Sequence, residues 1–168
     1  LAKMLGYTPN SPRAPKASVN IVVNDGTGTS ITMQKGTVFT SSVNNTSYQY
    51  VTNEDITTTP VDGVFTFSNV TLYEGTLVKF KYTVDETDVD QKFIIPSPNA
   101  DTSTLKVTVQ NSVSDTTTNT FTLSSGLTGV GSDSKVYFIQ ETTDGKFEVY
   151  FGDGVTGKKL DTGNLITL

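Results

Sequence analysis

Four acidic side chains lie close together between two apolar runs of the sequence: Asp85, Glu86, Asp88 and Asp90. Carboxylate oxygens at nearly alternating positions are ligands that Ca²⁺ accepts. The segment lacks the glycine and the terminal glutamate of an EF-hand loop, however. The pattern therefore favours a solvated acidic loop over a calcium site.

A second candidate for chemistry is the glycine-rich segment of residues 152–159, which has the Gly-x-x-x-x-Gly-Lys spacing of a phosphate-binding loop. Lys159 stands where serine or threonine would hold Mg²⁺, and no helical pattern follows to supply the N-terminus that binds phosphate. We therefore reject a phosphate site. Asp153, with Asp144 and Asp161 nearby, is a further metal candidate. A turn role is favoured, in which the Asp153 carboxylate accepts hydrogen bonds from local backbone N–H groups.

Histidine and cysteine are both absent from the sequence. Their absence excludes cysteine nucleophiles, disulfides and Ser-His-Asp catalysis within this chain. No motif brings a nucleophile, a base and an oxyanion-stabilising group together. The sequence therefore predicts a protein that is not an enzyme, with no bound metal and no cofactor.

The charge balance is acidic, with a net charge of −5 and a pI near 4.6. Nucleic-acid surfaces need clustered lysine and arginine, and Arg13 is the one arginine of the sequence. No run approaches the roughly 18 apolar residues of a membrane span, and no signal-peptide pattern opens the chain. We expect neither nucleic acid nor membrane as a partner.

Two runs of alternating apolar and polar residues, 136–140 and 147–151, flank an Asp-Gly pair. This arrangement predicts a β-hairpin with a type I′ turn, which needs φ > 0 at both central positions. Several glycines follow, so we expect backbone conformations closed to other residues, with φ > 0 at Gly152 or Gly154. The predicted structural turn motif comprises Asp144, Gly145, Gly152, Asp153, Gly154, Gly157 and Gly163.

About ten short runs of this kind occur along the sequence, with turn signals every eight to fifteen residues or so. One of them covers residues 77–84. Such spacing is typical of all-β sandwiches and barrels. The sequence predicts a mainly β protein, an antiparallel β-sandwich or barrel-like domain with a short N-terminal helix remnant.

The first sixteen residues differ in pattern from the rest. Residues 1–7 have the apolar spacing of a helix end, with Gly6 suited to the C′ position. Three prolines then predict an extended linker up to residue 16. Residues 17–168 are predicted to form one β-rich domain. Because the chain starts without methionine and ends in an apolar run, we expect a segment of a longer protein, with apolar surface or an unpaired strand edge left at residues 165–168.

The predicted hairpin also carries a resemblance. Residues 137–154 resemble the baseplate wedge proteins of contractile-tailed bacteriophages, which are related to the wider baseplate J-like family. The similarity continues at Gly157, Leu160 and residues 163–166, and further similar blocks lie at residues 1–7 with Pro9, at 17–18 and at 35–39.

The resemblance implies a structural role, as a component of a phage tail baseplate wedge. It implies that the chain self-associates as a homo-oligomer and binds other wedge proteins. These contacts would assemble the baseplate and relay the contraction signal to the sheath. The expected location is the tail baseplate of the virion, assembled in the host cytoplasm.

A β-sandwich adhesin or carbohydrate-binding module is the alternative function. Such a module would expose aromatic side chains in loops for stacking on sugars. Here most aromatic residues, such as Phe65, Phe80 and Phe147, lie in strand patterns, and tryptophan is absent. These features and the helix remnant favour the scaffold.

Overall fold

A computed structural model describes residues 10–24 and 26–168, and it confirms the mainly β prediction. The predicted helix end at residues 1–7 lies outside the described residues. The chain divides into two compact units. We call Ala14–Val78 the N-terminal unit, and Lys79–Leu168 together with residues 10–13 the C-terminal unit. This division is finer than the single β-rich domain that the sequence predicts for residues 17–168.

Fourteen strands occur in the described residues, joined by turns and short loops. They are β1 (Lys16–Val23), β2 (Ile31–Met33), β3 (Val38–Val43), β4 (Thr46–Val51), β5 (Ile56–Thr58), β6 (Pro60–Val61), β7 (Val64–Glu74), β8 (Lys81–Thr83), β9 (Phe93–Ile95), β10 (Val107–Gln110), β11 (Thr118–Leu123), β12 (Val136–Glu141), β13 (Phe147–Phe151) and β14 (Leu165–Thr167). A 3₁₀ turn covers Thr102–Thr104.

The N-terminal unit is built on an antiparallel sheet of order β1-β7-β4-β3, with β6 also paired to β7. Strands β2 and β5 form a separate antiparallel pair. Along the long strand β7, alternate residues point to one face, first Phe65 and Phe67 and then, after a break in the alternation, Val70 and Leu72. The buried centre of this core consists of Phe67, Val70 and Leu72.

A β-bulge interrupts the pairing of β1 with β7, where the register shifts between Val19 and Ile21. Asn69 has φ 55°, in the left-handed region that asparagine tolerates better than most residues. Its backbone N–H donates to Oδ1 of Asn20, over 2.8 Å. The Asn20 side chain on β1 therefore accepts a hydrogen bond from the Asn69 N–H, which the bulge leaves without a partner in the sheet.

The C-terminal unit contains a seven-stranded sheet of order β8-β14-β10-β11-β12-β13-β9. Strands β11 and β12 are parallel, and the other neighbours are antiparallel. The sheet curls until its two outer strands meet, which makes a nearly closed barrel. At this seam the Tyr82 ring packs edge-to-face on Phe93, with centroids 5.6 Å apart, and the Tyr82 hydroxyl donates to the Ile94 carbonyl.

The barrel interior is filled by side chains from every part of this sheet. Val107, Val149 and Ile166 are each 0% exposed. Burial of such a side chain stabilises the fold by about 1.5–3 kcal/mol. The other buried members of the core are Val84, Ile95, Val109, Phe121, Tyr137, Phe147, Leu160 and Leu168.

Two local predictions are wrong. The strand predicted at residues 77–84 is reduced to Lys81–Thr83, and Leu77 and Val78 are exposed. The predicted unpaired edge at residues 165–168 is absent, because β14 lies between β8 and β10 and pairs with both. Apolar alternation along a strand reports which face is buried, and it carries no information about which strands lie beside it.

Candidate functional site

The turn of the β12–β13 hairpin differs from its predicted type. Gly145 has φ 77°, whereas Asp144 lies outside the left-handed region. The Gly145 N–H donates to the Thr142 carbonyl at 3.2 Å, and the Thr142 N–H donates to the Lys146 carbonyl at 2.8 Å. This is a three-residue loop, with a type I turn followed by a left-handed glycine. The type I′ prediction is wrong because an Asp-Gly pair also fits this second arrangement.

The Asp144 carboxylate holds this turn together. Its Oδ1 accepts a hydrogen bond from the Thr142 hydroxyl at 2.5 Å, and its Oδ2 accepts one from Nζ of Lys146 at 2.7 Å. The hydrogen bond from Lys146, followed by that from Thr142, lowers the pKa of Asp144 to about 2. Both donors favour the ionised carboxylate.

We expect acid to remove this contribution to stability. Since the folded-state pKa is below the ordinary aspartate value of 3.8, the contribution is present above about pH 4 and is lost as the pH falls towards 2. In Asp144→Asn, the melting temperature should fall less between pH 5 and pH 2 than in the parent chain. Lys146→Met should flatten the profile in the same direction. Thermal melts followed by circular dichroism would test this, and parallel profiles for parent and Asp144→Asn would contradict it.

Beyond β13 the chain folds back on itself in a glycine loop, residues 152–163. A Cβ built on Gly152 would lie 2.1 Å from the backbone carbonyl carbon of Gly157. The Gly154 N–H donates to the Gly157 carbonyl at 3.1 Å, and these two residues have φ 88° and 87°. The positive φ expected at Gly152 or Gly154 thus falls at Gly154. Gly152 is needed for a different reason, which is the close approach of two backbone segments.

Asp153 closes the tip of the glycine loop. Its Oδ1 accepts hydrogen bonds from the backbone N–H groups of Val155 at 2.9 Å and Thr156 at 2.8 Å. The Thr156 and then the Val155 N–H groups lower the pKa of Asp153, because they stabilise the charged form. This geometry is that of an Asx turn, in which the side chain mimics a backbone acceptor.

Backbone hydrogen bonds fix the glycine loop to the segment before β12. The Gly157 N–H donates to the Gly131 carbonyl at 3.1 Å, and the Lys158 N–H donates to the Ser134 carbonyl at 2.8 Å. Leu160 then returns to the core with 6% exposure. Further on, Gly163 has φ 92° and no atom within 4 Å of an ideal Cβ, so it serves backbone conformation alone.

The same loop is joined to the acidic segment after β8. Nζ of Lys159 lies 2.6 Å from Oε1 of Glu86, and the backbone N–H of Glu86 donates to Oγ1 of Thr162 at 2.9 Å. The hydrogen bond from Lys159 is the main cause that lowers the pKa of Glu86. The sequence reasoning missed this contact, since nothing in the pattern relates residues so far apart.

Two further carboxylates of the acidic segment, those of Asp85 and Asp88, make local contacts of their own. Oδ1 of Asp85 accepts from the backbone N–H and the hydroxyl of Thr87, and Oδ1 of Asp88 accepts from the Asp90 N–H at 3.1 Å. Glu86 therefore contacts the glycine loop, whereas Asp85 and Asp88 contact residues of their own segment. Within the described residues, no group of three acidic side chains is placed to hold a metal ion.

An open cavity of about 350 Å³ lies beside the glycine loop. Most of its lining residues are polar, and Val109 and Phe121 are among the apolar ones. Its side chains bond mainly to the protein itself. Nδ2 of Asn164 donates to the Asn111 carbonyl at 2.8 Å, and Nζ of Lys135 donates to Oδ1 of Asn119 at 2.5 Å. These contacts connect neighbouring segments of the barrel.

Among the described residues, no helix has the length and apolar character needed to cross a membrane.

The fold and the site together define a class: a β-barrel protein whose glycine loop and carboxylates serve turns and contacts between strands. Comparison with known families then identifies it. Residues 77–167 match the family described as "Bacteriophage baseplate wedge protein gp6, third domain", and the chain belongs to this family. The match coincides closely with the C-terminal unit. Membership makes this chain part of a structural protein of the phage tail baseplate.

A curated relative supports the same assignment. The baseplate wedge protein gp6 of Enterobacteria phage T4 is 27% identical over 164 residues, which cover 95% of this chain. The chain spans 24% of the length of that relative. The similarity therefore includes the N-terminal unit, which the family match does not reach.

Proposed function

We propose that this chain is a scaffold of a phage baseplate wedge, which self-associates and binds other wedge proteins to assemble the baseplate. The observation that carries the proposal is the family match over residues 77–167. The relative in phage T4 bears the name of a baseplate wedge protein. Scaffolding needs surfaces and stable folds, and it needs no catalytic residue, cofactor or metal.

We further propose that the chain helps to relay the contraction signal. The packed barrel core supports this role, because close-packed interiors have low compressibility and transmit strain. The hydrogen bonds between the glycine loop and the segment before β12 support it as well, since they fix the two segments that flank the β12–β13 hairpin to each other. The expected location is the tail baseplate, with assembly in the host cytoplasm.

Labelling of intact virions tests the location. Antibodies raised against this chain, detected by immunogold electron microscopy, should mark the baseplate end of the contractile tail in the phage that encodes it. Label confined to the head or the tail fibres would overturn the proposal. Co-expression with the other wedge proteins of that phage, followed by affinity purification, should recover a complex. Sedimentation at several concentrations would report self-association separately.

A further inference from the structure

Strand β3 forms one edge of the sheet in the N-terminal unit. It pairs with β4 alone, and the register runs from Val38 opposite Val51 to Val43 opposite Thr46. The residues of β3 are exposed, except for Phe39, which is half-buried. Val38 and Val43 are 52% and 55% exposed. Six residues of strand are therefore accessible along this edge.

The turn that follows β3 determines which backbone groups point outward. Asn44 and Asn45 have φ 49° and 63°, which is the two-residue type I′ loop. In such a hairpin the pair that flanks the turn is hydrogen-bonded, and the bonded pairs then alternate. The N–H and C=O groups directed away from β4 accordingly belong to Val38, Thr40 and Ser42. The Thr52 N–H, which donates to the Thr37 carbonyl at 3.2 Å, follows the same alternation.

Other edge strands of the described residues carry features that discourage pairing with another chain. Strand β1 has Lys16 and is paired to β7 through a bulge whose extra residue lies on β7, and β6 begins with Pro60. Strands β8 and β9 have three residues each. Lysine, proline, bulges and short length are the usual protections of a sheet edge. Strand β3 has none of them, and residues 36–53 contain no charged side chain.

Charge indicates which kind of strand would pair there. The N-terminal unit has two lysines and five acidic residues, a net charge of −3. A second copy would bring the same negative charge to this edge. A strand flanked by basic residues would instead be attracted by the unit and meet an uncharged edge.

We propose that β3 receives an extended strand of a different protein. The paired part of that strand is uncharged and rich in β-branched or aromatic residues, and lysine or arginine flanks it. The outward groups of Val38, Thr40 and Ser42 supply the main-chain hydrogen bonds of β-strand addition. The inference stands on the edge itself and goes beyond the baseplate role, since strand pairing can be measured without baseplate assembly.

Synthetic peptides provide the test. The probe has the sequence of β4, Thr-Ser-Tyr-Gln-Tyr-Val, which already pairs with β3 on its other side. Two lysines flank it at each end, and a fluorophore reports binding to the full chain by anisotropy. We expect saturable binding that weakens about tenfold or more when alternate peptide nitrogens are methylated. A peptide with glutamate flanks should also bind more weakly.

Variants of the chain locate the binding edge. Thr40→Pro should weaken binding about tenfold or more, because it removes an outward N–H. Thr40→Lys should weaken binding by adding a charge to the edge. Ser18→Lys, on exposed β1, is the matched control and should leave the affinity close to that of the parent. Circular dichroism melts identify any variant that fails to fold, and Thr40→Lys keeps the test decisive if Thr40→Pro does.

Each result decides the proposal. Binding that is lost with both Thr40 variants and with the methylated peptide supports it. Absence of saturable binding, or equal binding by parent and both Thr40 variants, overturns it. If the parent chain alone forms a dimer that Thr40→Pro dissociates, a second copy occupies the edge and the proposed partner is wrong.

Discussion

Alanine in place of Gly152 is expected to lower the free energy of unfolding by about 3 kcal/mol or more. Its Cβ would lie 2.1 Å from the carbonyl carbon of Gly157 and 2.2 Å from the carbonyl oxygen, both backbone atoms. A methyl group cannot fit unless the two backbone segments separate. That separation would disturb the hydrogen bond between Gly154 and Gly157 as well. Urea unfolding followed by circular dichroism measures the loss.

Matched variants separate this steric effect from general changes at glycine. Gly126 has open space around an ideal Cβ and no φ in the left-handed region, so Gly126→Ala should change stability by less than about 0.5 kcal/mol. Asp153→Ala should cost less than Gly152→Ala, because the backbone N–H groups that it leaves are exposed and can bind water. Equal midpoints for Gly152→Ala and Gly126→Ala would contradict the described loop geometry.

Truncation of Ile166 is the second change with a large expected effect. Ile166 is 0% exposed in the middle of β14, and its strand is paired on both sides. Ile166→Ala removes buried methyl groups and leaves a cavity, at an expected cost of about 2–5 kcal/mol. Urea unfolding of the full chain, with thermal melts alongside, gives the measurement.

Val113 is the control for Ile166, since it is also β-branched and is 80% exposed. Val113→Ala should change the free energy of unfolding by less than about 0.5 kcal/mol. If Ile166→Ala were equally mild, the Ile166 side chain would not lie in the barrel core, contrary to its 0% exposure.

Local features of the fold were predictable from the sequence. Alternation of apolar and polar residues predicts the strands at residues 136–141 and 147–151. The glycines that follow predict the glycine loop, because glycine tolerates positive φ and close backbone approach. The turn role of Asp153 rests on the same local chemistry. It remains a prediction of function until variants are measured, although the two hydrogen bonds to Val155 and Thr156 support it.

Long-range features were not predictable in this way. Alternation along β14 is compatible with an edge or an interior strand, and the parallel pairing of β11 with β12 leaves no local signal. The Glu86–Thr162 hydrogen bonds join residues 76 positions apart. The Asn-Asn turn after β3, in contrast, has a local signal, since two asparagines stand between strand-forming runs. Tertiary pairing, rather than propensity, decides the first three features.

The place of β14 also sets the order of events while the chain is made. Strands β8 and β10 are synthesised well before β14, yet β14 is the strand that pairs with both. Until residues 165–167 leave the ribosome, these two strands lack the partner that joins them, and the barrel core stays open to solvent. Non-local strand pairing of this kind slows folding and exposes apolar surface in the meantime. Protection of the nascent chain from aggregation therefore matters until β14 has emerged from the ribosome and paired.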